Sequence, residues 1–383
     1  MKICMLSTGH APLDDRIYYK EVISLAKRFS PIILVMPGEQ SDYIYEENGI
    51  RFVPLRKAES LITRFLIIPQ AIKKVIKIQP QVCHIHDYEL IFILPFLRLF
   101  SRCKIIYDVH EVYPEMVMES KKIPRLLCPF MSKLVDISEK ILSKLANYII
   151  TADGNISKRF SNMNNHVTTI FNYPRLSLFT VNEKKLSLLK ERYKNRTPII
   201  YQGGIAENRG LFQMIRAMRI LKDKKPDIIL LLLGQISNNL LKRVKMEIKE
   251  NRLQKYIEIV GWLPHREIVE YICISKVGLV PLLPTKKFMK NIPIKQFEYM
   301  ACGVPVLGAN LPPIASYITA SACGKVFDST SIESLANGVI DILQDKSEWK
   351  RMSDAGKKAT REMWNWDKME ERLFNVYEEL LSH

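Results

Sequence analysis

No apolar run in this 383-residue chain reaches the roughly 18 residues that span a bilayer. The best stretch, Leu90 to Phe100, is short and holds Arg98. The seven cysteines stand singly, with no C-x-x-C pair, which excludes a disulfide framework and a structural zinc knuckle and points to a reducing compartment. The opening MKICMLSTGH turns polar after six residues, so no signal peptide is expected and a cytoplasmic location is. A nicotinamide enzyme would want G-x-G-x-x-G after its first strand, and only Gly9 is present there. Helix-turn-helix, zinc-finger and RNP patterns are also lacking, so nucleic acid is not expected as a partner.

Charge is what the chain has in excess. The net charge is +17, spread along the chain rather than gathered in one arm. That calls for a phosphorylated substrate or an anionic membrane surface. Two basic amphipathic stretches, Leu61–Ile78 with Arg64, Lys73, Lys74 and Lys77, and Lys121–Lys144, make an inner-leaflet surface a candidate partner. Hydrophobic content of 47% and charged content of 25% are ordinary for a folded protein, and the length predicts two or three domains.

Short β-type runs alternate with helical periods. The first half predicts strands at Lys2–Met5, Ile32–Met36, Arg51–Pro54, Val82–His84, Lys104–Asp108, Tyr148–Thr151 and Val167–Phe171. The second predicts them at Ile199–Gln202, Ile228–Leu233, Ile257–Val260, Val277–Val280, Val304–Leu307 and Lys325–Phe327. This alternation is the pattern of parallel sheets with crossover helices. It predicts an N-terminal domain over 1–180, a second over 181–363 and a closing helix over 364–383. Ligands of doubly wound sheets bind just beyond the carboxyl ends of strands, so candidates are sought there.

The most informative stretch is Asn291 to Asn310, NIPIKQFEYMACGVPVLGAN. It reads as a loop, a short helix with Pro293 in its first turn, a stop at Gly303, and a buried strand. Lys295 and Glu298, three apart, share one face. A helix N-terminus, a lysine and a carboxylate at one spot suit an anion attached to a polyol, such as a nucleotide diphosphate. YQGGIAENRG at Tyr201–Gly210 follows a strand; Gly203 and Gly204 allow close approach to phosphate and Arg209 offers a forked cation. Alone, a glycine pair is equally an ordinary tight turn. Gly234 and Gly261-Trp262 end the next two strands. In the first half, YDVHEVYP from Tyr107 places His110 and Glu111 after a strand. HIHD places His84, His86 and Asp87 after the preceding one, where zinc is conceivable but no further ligand spacing supports it.

These motifs together resemble retaining glycosyltransferases of the GT-B fold, in particular glycosyltransferase family 4. The resemblance implies two Rossmann-like doubly wound parallel-sheet domains facing across a cleft. It implies a nucleotide diphosphate sugar as co-substrate, with a UDP-sugar favoured over a GDP-sugar, and no metal or other cofactor. By the resemblance Glu298 binds the ribose hydroxyls. The family usually carries another glutamate eight positions earlier, where this chain has Lys290; the run Asn291-x-Pro293-x-Lys295 matches a branch of the family instead. Gly9, Gly203, Gly204, Arg209, Gly234, Trp262, Asn291, Lys295 and Glu298 are then the nucleotide-sugar site. His110, Arg209 and Lys295 are the catalytic candidates. Glu111, His86 and Asp87 are candidates for a saccharide or lipid-linked acceptor in cell-surface polysaccharide or glycolipid synthesis. Two other readings remain at this point: a GT-B sugar-nucleotide epimerase, and a non-catalytic sugar-nucleotide-binding subunit.

Overall fold

The computed structural model describes residues 1–38, 46–47, 49–58, 60–120 and 123–382. The chain divides into two compact units: Met1–Asn172 with Trp366–His383, and Tyr173–Asn365. The division thus falls before the expected 180/181, because the polar stretch after Asn172 already packs with the second unit. Tyr173 meets the Phe297 ring edge-on at 5.0 Å. The last helix, Trp366–Ser382, belongs to the first unit, where Tyr377 is fully buried.

The first unit is built on an eight-stranded sheet. Its strands are β1 (Ile3–Leu6), β2 (Ile32–Pro37), β3 (Glu46–Glu47), β4 (Ile50–Leu55), β5 (Val82–Ile85), β6 (Lys104–Val109), β7 (Tyr148–Thr151) and β8 (Val167–Thr169), in the order β3-β4-β2-β1-β5-β6-β7-β8. All neighbours pair in parallel except the short β3, which runs antiparallel to β4. β1 and β5 are buried along their whole length, which is why they read as near-continuous apolar runs. The predicted helix over Leu61–Ile78 is two helices, Leu61–Leu66 and Ile68–Ile78. Pro69 causes the break, since it has no N–H to give the preceding turn. Of the apolar side chains on these helices, Ile68 and Ile72 pack against the core, while Leu66 is exposed. The predicted basic stretch from Lys121 begins outside the described residues, with Lys121 and Lys122.

The second unit has a six-stranded, all-parallel sheet of β9 (Thr197–Gln202), β10 (Ile228–Leu233), β11 (Ile257–Gly261), β12 (Val277–Val280), β13 (Val306–Ala309) and β14 (Gly324–Phe327). The order β11-β10-β9-β12-β13-β14 puts β9 beside both β10 and β12, at the point where the winding reverses. In such sheets that reversal opens a crevice at the strand ends. β13 starts at Val306, later than the expected Val304. Gly303, at φ +72°, and Val304 are spent closing the preceding helix: their N–H groups donate to the carbonyls of Met300 and Tyr299. That helix is Lys295–Ala301 with Ile294 at its N-cap, so Pro293 lies before it rather than in its first turn.

Candidate functional site

In the second unit the loop after β9 meets Lys295 at the start of the helix Lys295–Ala301, and the loop after β10 packs on it through Gly234. Gly203 leaves β9 at φ +109°, a conformation that side chains avoid. Gly234, after β10, comes so close that a Cβ there would lie 1.9 Å from the Gly203 carbonyl oxygen. Two cations border this double turn. Lys295 Nζ stands where it would be 3.2 Å from a Cβ on Gly203, and the Arg209 guanidinium carbon would be 3.7 Å from one on Gly204.

Lys295 is only 7% exposed, and its Nζ has no hydrogen-bond partner among the described residues. It lies 3.7 Å from the centre of the Tyr201 ring, a cation–π contact. Burial and the neighbouring Arg209 push its pKa well below the usual lysine range; Glu298 pulls the other way. A buried ammonium without an acceptor is costly, and anionic oxygens at this spot would relieve it. Glu298, one turn on, accepts a hydrogen bond from Gln202 Nε2, and the Gln202 N–H donates to Tyr299 Oη at 3.0 Å. The end of β9 is thereby tied to the helix. The Tyr201 hydroxyl donates to the Gly204 carbonyl at 2.9 Å and its pKa is pushed up to about 12 by burial, so it stays protonated. Behind the helix Phe297 is set among Tyr173, Tyr317 and Trp364, which fixes the helix position. Asn291 and Lys290 are half-buried just before it. Trp262, after β11, is 68% exposed, so core packing does not explain it.

Gly9 lies apart from these residues in sequence and unit. It follows β1 in the first unit, and a Cβ there would collide with the Arg64 side chain. Its N–H, with the Ser7 hydroxyl and the Thr8 N–H, donates to Asp87 Oδ2. Asp87 is therefore the anchor of this loop. Burial would raise its pKa, but His10 and these donors hold it below the usual carboxylate range. Glu111 is half-buried, and the N-cap of the following helix is Val112.

The pairing of β5 with β6 brings His84, His86, Asp108 and His110 together, a convergence no single motif displays. The His84 and His86 rings stack at 4.4 Å. His110, 14% exposed, places Nε2 3.2 Å from Asp108 Oδ2 and 3.4 Å from His86 Nδ1. His86 itself has no exposed surface, so sequence reading placed an acceptor role on a buried ring. Two residues that sequence reading passed over complete the cluster. Arg16 donates to Asp108 at 3.0 Å and to the Ile170 carbonyl, and its Nε lies 2.9 Å from Glu21 Oε1. The available signal was spacing: Arg16, Lys20 and Glu21 recur at helical intervals within a largely apolar segment. All three are buried, and the backbone of Ile17–Val22 is widened into a π-helix.

Glu21, His84, His86 and Asp108 bring one donor atom each within 4.8 Å of one another, a set chemically suited to zinc. Arg16 answers that reading: its guanidinium already lies against both carboxylates and supplies the positive charge a metal would bring. A metal ion would have to share both carboxylates with it.

Burial pushes the His86 pKa down to about 4, with Asp108 opposing. A histidine depressed in the folded state adds stability that is complete above the unfolded value, about 6.5. That stability is lost as pH falls from there through about 4, because the unfolded chain takes up the proton first. Thermal melts from pH 7 to pH 4 should therefore show falling stability, and the fall below pH 6.5 should flatten in His86→Gln. An equal slope in the variant would remove His86 as the cause.

Comparison with known proteins fits this geometry. Residues 187–359 match the family model described as glycosyl transferases group 1. Among curated relatives, a GDP-mannose-dependent monoacylated alpha-(1-6)-phosphatidylinositol monomannoside mannosyltransferase of Corynebacterium glutamicum is 23% identical over 215 residues, 55% of each chain. A putative teichuronic acid biosynthesis glycosyltransferase, TuaH of Bacillus subtilis, is 22% identical over 220 residues, 56% of this chain and 52% of its own. The matched stretch thus spans about half the length of these relatives. Among solved structures, sucrose-phosphate synthase of Thermosynechococcus elongatus superposes with a TM-score of 0.80 at 17% identity, covering 100% of this chain and 99% of that one. Anabaena HepE in complex with UDP does so at 0.77 and 13%, covering 99% and 100%. At these identities the structures establish the shared fold. Residues 187–359, within the second unit, thus match the glycosyl transferases group 1 model, and the chain has the GT-B fold of two Rossmann-like parallel-sheet units.

Proposed function

We propose that this protein transfers a sugar from a nucleotide diphosphate sugar to an acceptor hydroxyl with retention of anomeric configuration, in cell-surface polysaccharide or glycolipid synthesis. One observation carries the reading: the buried amino group of Lys295, without a hydrogen-bond partner among the described residues, beside the Gly203-Gly204 turn, with Arg209 near that turn and Glu298 one helical turn away. Diphosphate oxygens would pair with the two cations, and ribose hydroxyls would bond to Glu298. UDP is the favoured nucleotide, supported by HepE, whose structures hold UDP and UDP-glucose. GDP is the alternative, supported by the mannosyltransferase relatives. The relatives named for amylovoran and teichuronic acid synthesis support a saccharide acceptor.

In this reading Lys295 and Arg209 stabilise the charge that grows on the leaving diphosphate. The diphosphate oxygen takes the acceptor proton, so no strong protein base is needed. His110, oriented by Asp108, acts on the transferred sugar. Incubation with labelled UDP- and GDP-sugars and a lipid-linked acceptor tests the whole reading. A new glycosidic bond is expected; an isomerised or hydrolysed donor without glycoside would overturn it. Glu298→Ala should weaken binding of the free nucleotide roughly ten- to a hundred-fold, the effect of losing a charged hydrogen bond worth about 1.5–3 kcal/mol. Unchanged affinity would take Glu298 out of the site. His110→Ala should lower turnover more than donor affinity. Near wild-type turnover would make it a structural histidine.

A further inference from the structure

The crossover from β6 to β7 carries a helix, Cys128–Leu142, that is apolar on two opposite faces. One face, Cys128 and Val135 with Glu139, is buried on the sheet. The other points away from it: Leu127, Phe130, Leu134, Ile137 and Ile141 repeat at intervals of three and four, and all are exposed, Phe130 by 63% and Ile141 by 60%. A surface helix ordinarily turns charged residues outward. Here the charged residues stand at the margins instead. Lys133, Lys140 and Lys144 are exposed along the helix and Arg125 just before it. The negative charges are spoken for: Asp136 pairs with Lys140 and Arg159, and Glu139 is buried against Arg159. The neighbouring helix Tyr113–Met118 packs alongside and exposes Met116 and Met118, which widens the apolar strip; Glu119, at its end, is the exposed acid there.

A protein partner would match an apolar strip of this kind with a strip of its own. The flanking lysines, on a chain of net charge +17, argue instead for a surface that is apolar inside and anionic outside. We infer that Cys128–Leu142 is an interfacial helix that lays Phe130, Leu134, Ile137 and Ile141 into the acyl boundary of an anionic leaflet while its lysines meet the headgroups. The helix lies in the membrane plane and does not span it, since it is too short to cross. Binding needs neither donor nor acceptor, so it is measured apart from the transfer reaction proposed above and can fail or hold independently of it.

The test is co-sedimentation of the full chain with phosphatidylcholine vesicles, with and without phosphatidylglycerol. Wild type should bind the anionic vesicles, release as salt is raised, and ignore the neutral ones. Phe130→Ser with Ile137→Ser should bind at least tenfold more weakly, with an unchanged melting temperature and unchanged nucleotide affinity. Lys133→Gln with Lys144→Gln should bind severalfold more weakly and lose part of the salt dependence. Three results would overturn the inference: no binding to anionic vesicles, wild-type binding by the serine variant, or a lipid-free dimer in sedimentation that the serine variant abolishes. The last would assign the strip to a second copy of the chain.

Discussion

Lys295→Met should lower turnover by about a hundred- to a thousand-fold, the usual loss when one preorganised donor to a developing anion is removed. The same change should leave the melting temperature unchanged or raise it. The Nζ is buried with no hydrogen-bond partner among the described residues, so the fold bears much of its desolvation. Methionine keeps much of the stem over the Tyr201 ring and removes that cost. A function bought with local instability is the expected signature of a site rather than a core. The proton adds an independent check. Lys295 has a depressed pKa in the free protein, and a diphosphate would raise it again. Nucleotide binding should therefore take up a proton in the pH range between the two values, and affinity should rise as pH falls through it. Calorimetry in two buffers of different ionisation heat reads the uptake directly. Full turnover in Lys295→Met, or binding without proton uptake that the variant leaves unaltered, would dismiss this lysine as the phosphate ligand.

Arg16→Met should destabilise the first unit by about 3–5 kcal/mol, the cost of leaving a buried carboxylate without its partner. For a unit of this size that is on the order of a 10 °C fall in melting temperature. The motivation is that Arg16 neutralises Asp108 and Glu21, all three buried. Burial, then the Asp108 charge, push the Glu21 pKa well above the usual carboxylate range, so Glu21 already leans toward the neutral form. Asp108, by contrast, is held well below: burial would raise it, and Arg16 and His110 overcome that. Without the guanidinium its pKa should rise above the unfolded value. A raised carboxyl costs stability at high pH and less as pH falls, so the deficit of Arg16→Met should shrink between pH 8 and pH 5. A loss below about 1 kcal/mol, or a deficit that grows on acidification, would show that the cluster does not depend on this arginine.

The sequence by itself determined the element pattern and the motifs of the second unit. β10 and β12 were read residue for residue, Ile228–Leu233 and Val277–Val280, because a strand buried on both faces is a bare apolar run between turn residues. The placement of Arg209 and the glycine pair just after β9, and of Lys295 and Glu298 on the helix before β13, was legible too, since local spacing sets it. Boundaries were less legible. Pro293 and Val304 were assigned to elements they only adjoin, because a cap is decided by individual hydrogen bonds and not by periodicity. Sequence could not say that Lys295 Nζ lacks a hydrogen-bond partner among the described residues, or that Asp87 is spent on the backbone of Thr8 and Gly9. Nor could it say that the helix Cys128–Leu142 leaves one of its two apolar faces uncovered. The buried cluster of the first unit was the least visible of all. Arg16, Glu21, His84, His86, Asp108 and Tyr377 are drawn from the whole length of the chain, with His84 Nδ1 bonded at 2.8 Å to a tyrosine hydroxyl 293 positions away. Which of two similar apolar strands lies beside β5, and therefore which carboxylate meets which histidine, is set by sheet order. Sheet order is a choice among long-range pairings whose apolar contacts are nearly interchangeable, and only the packed structure makes it.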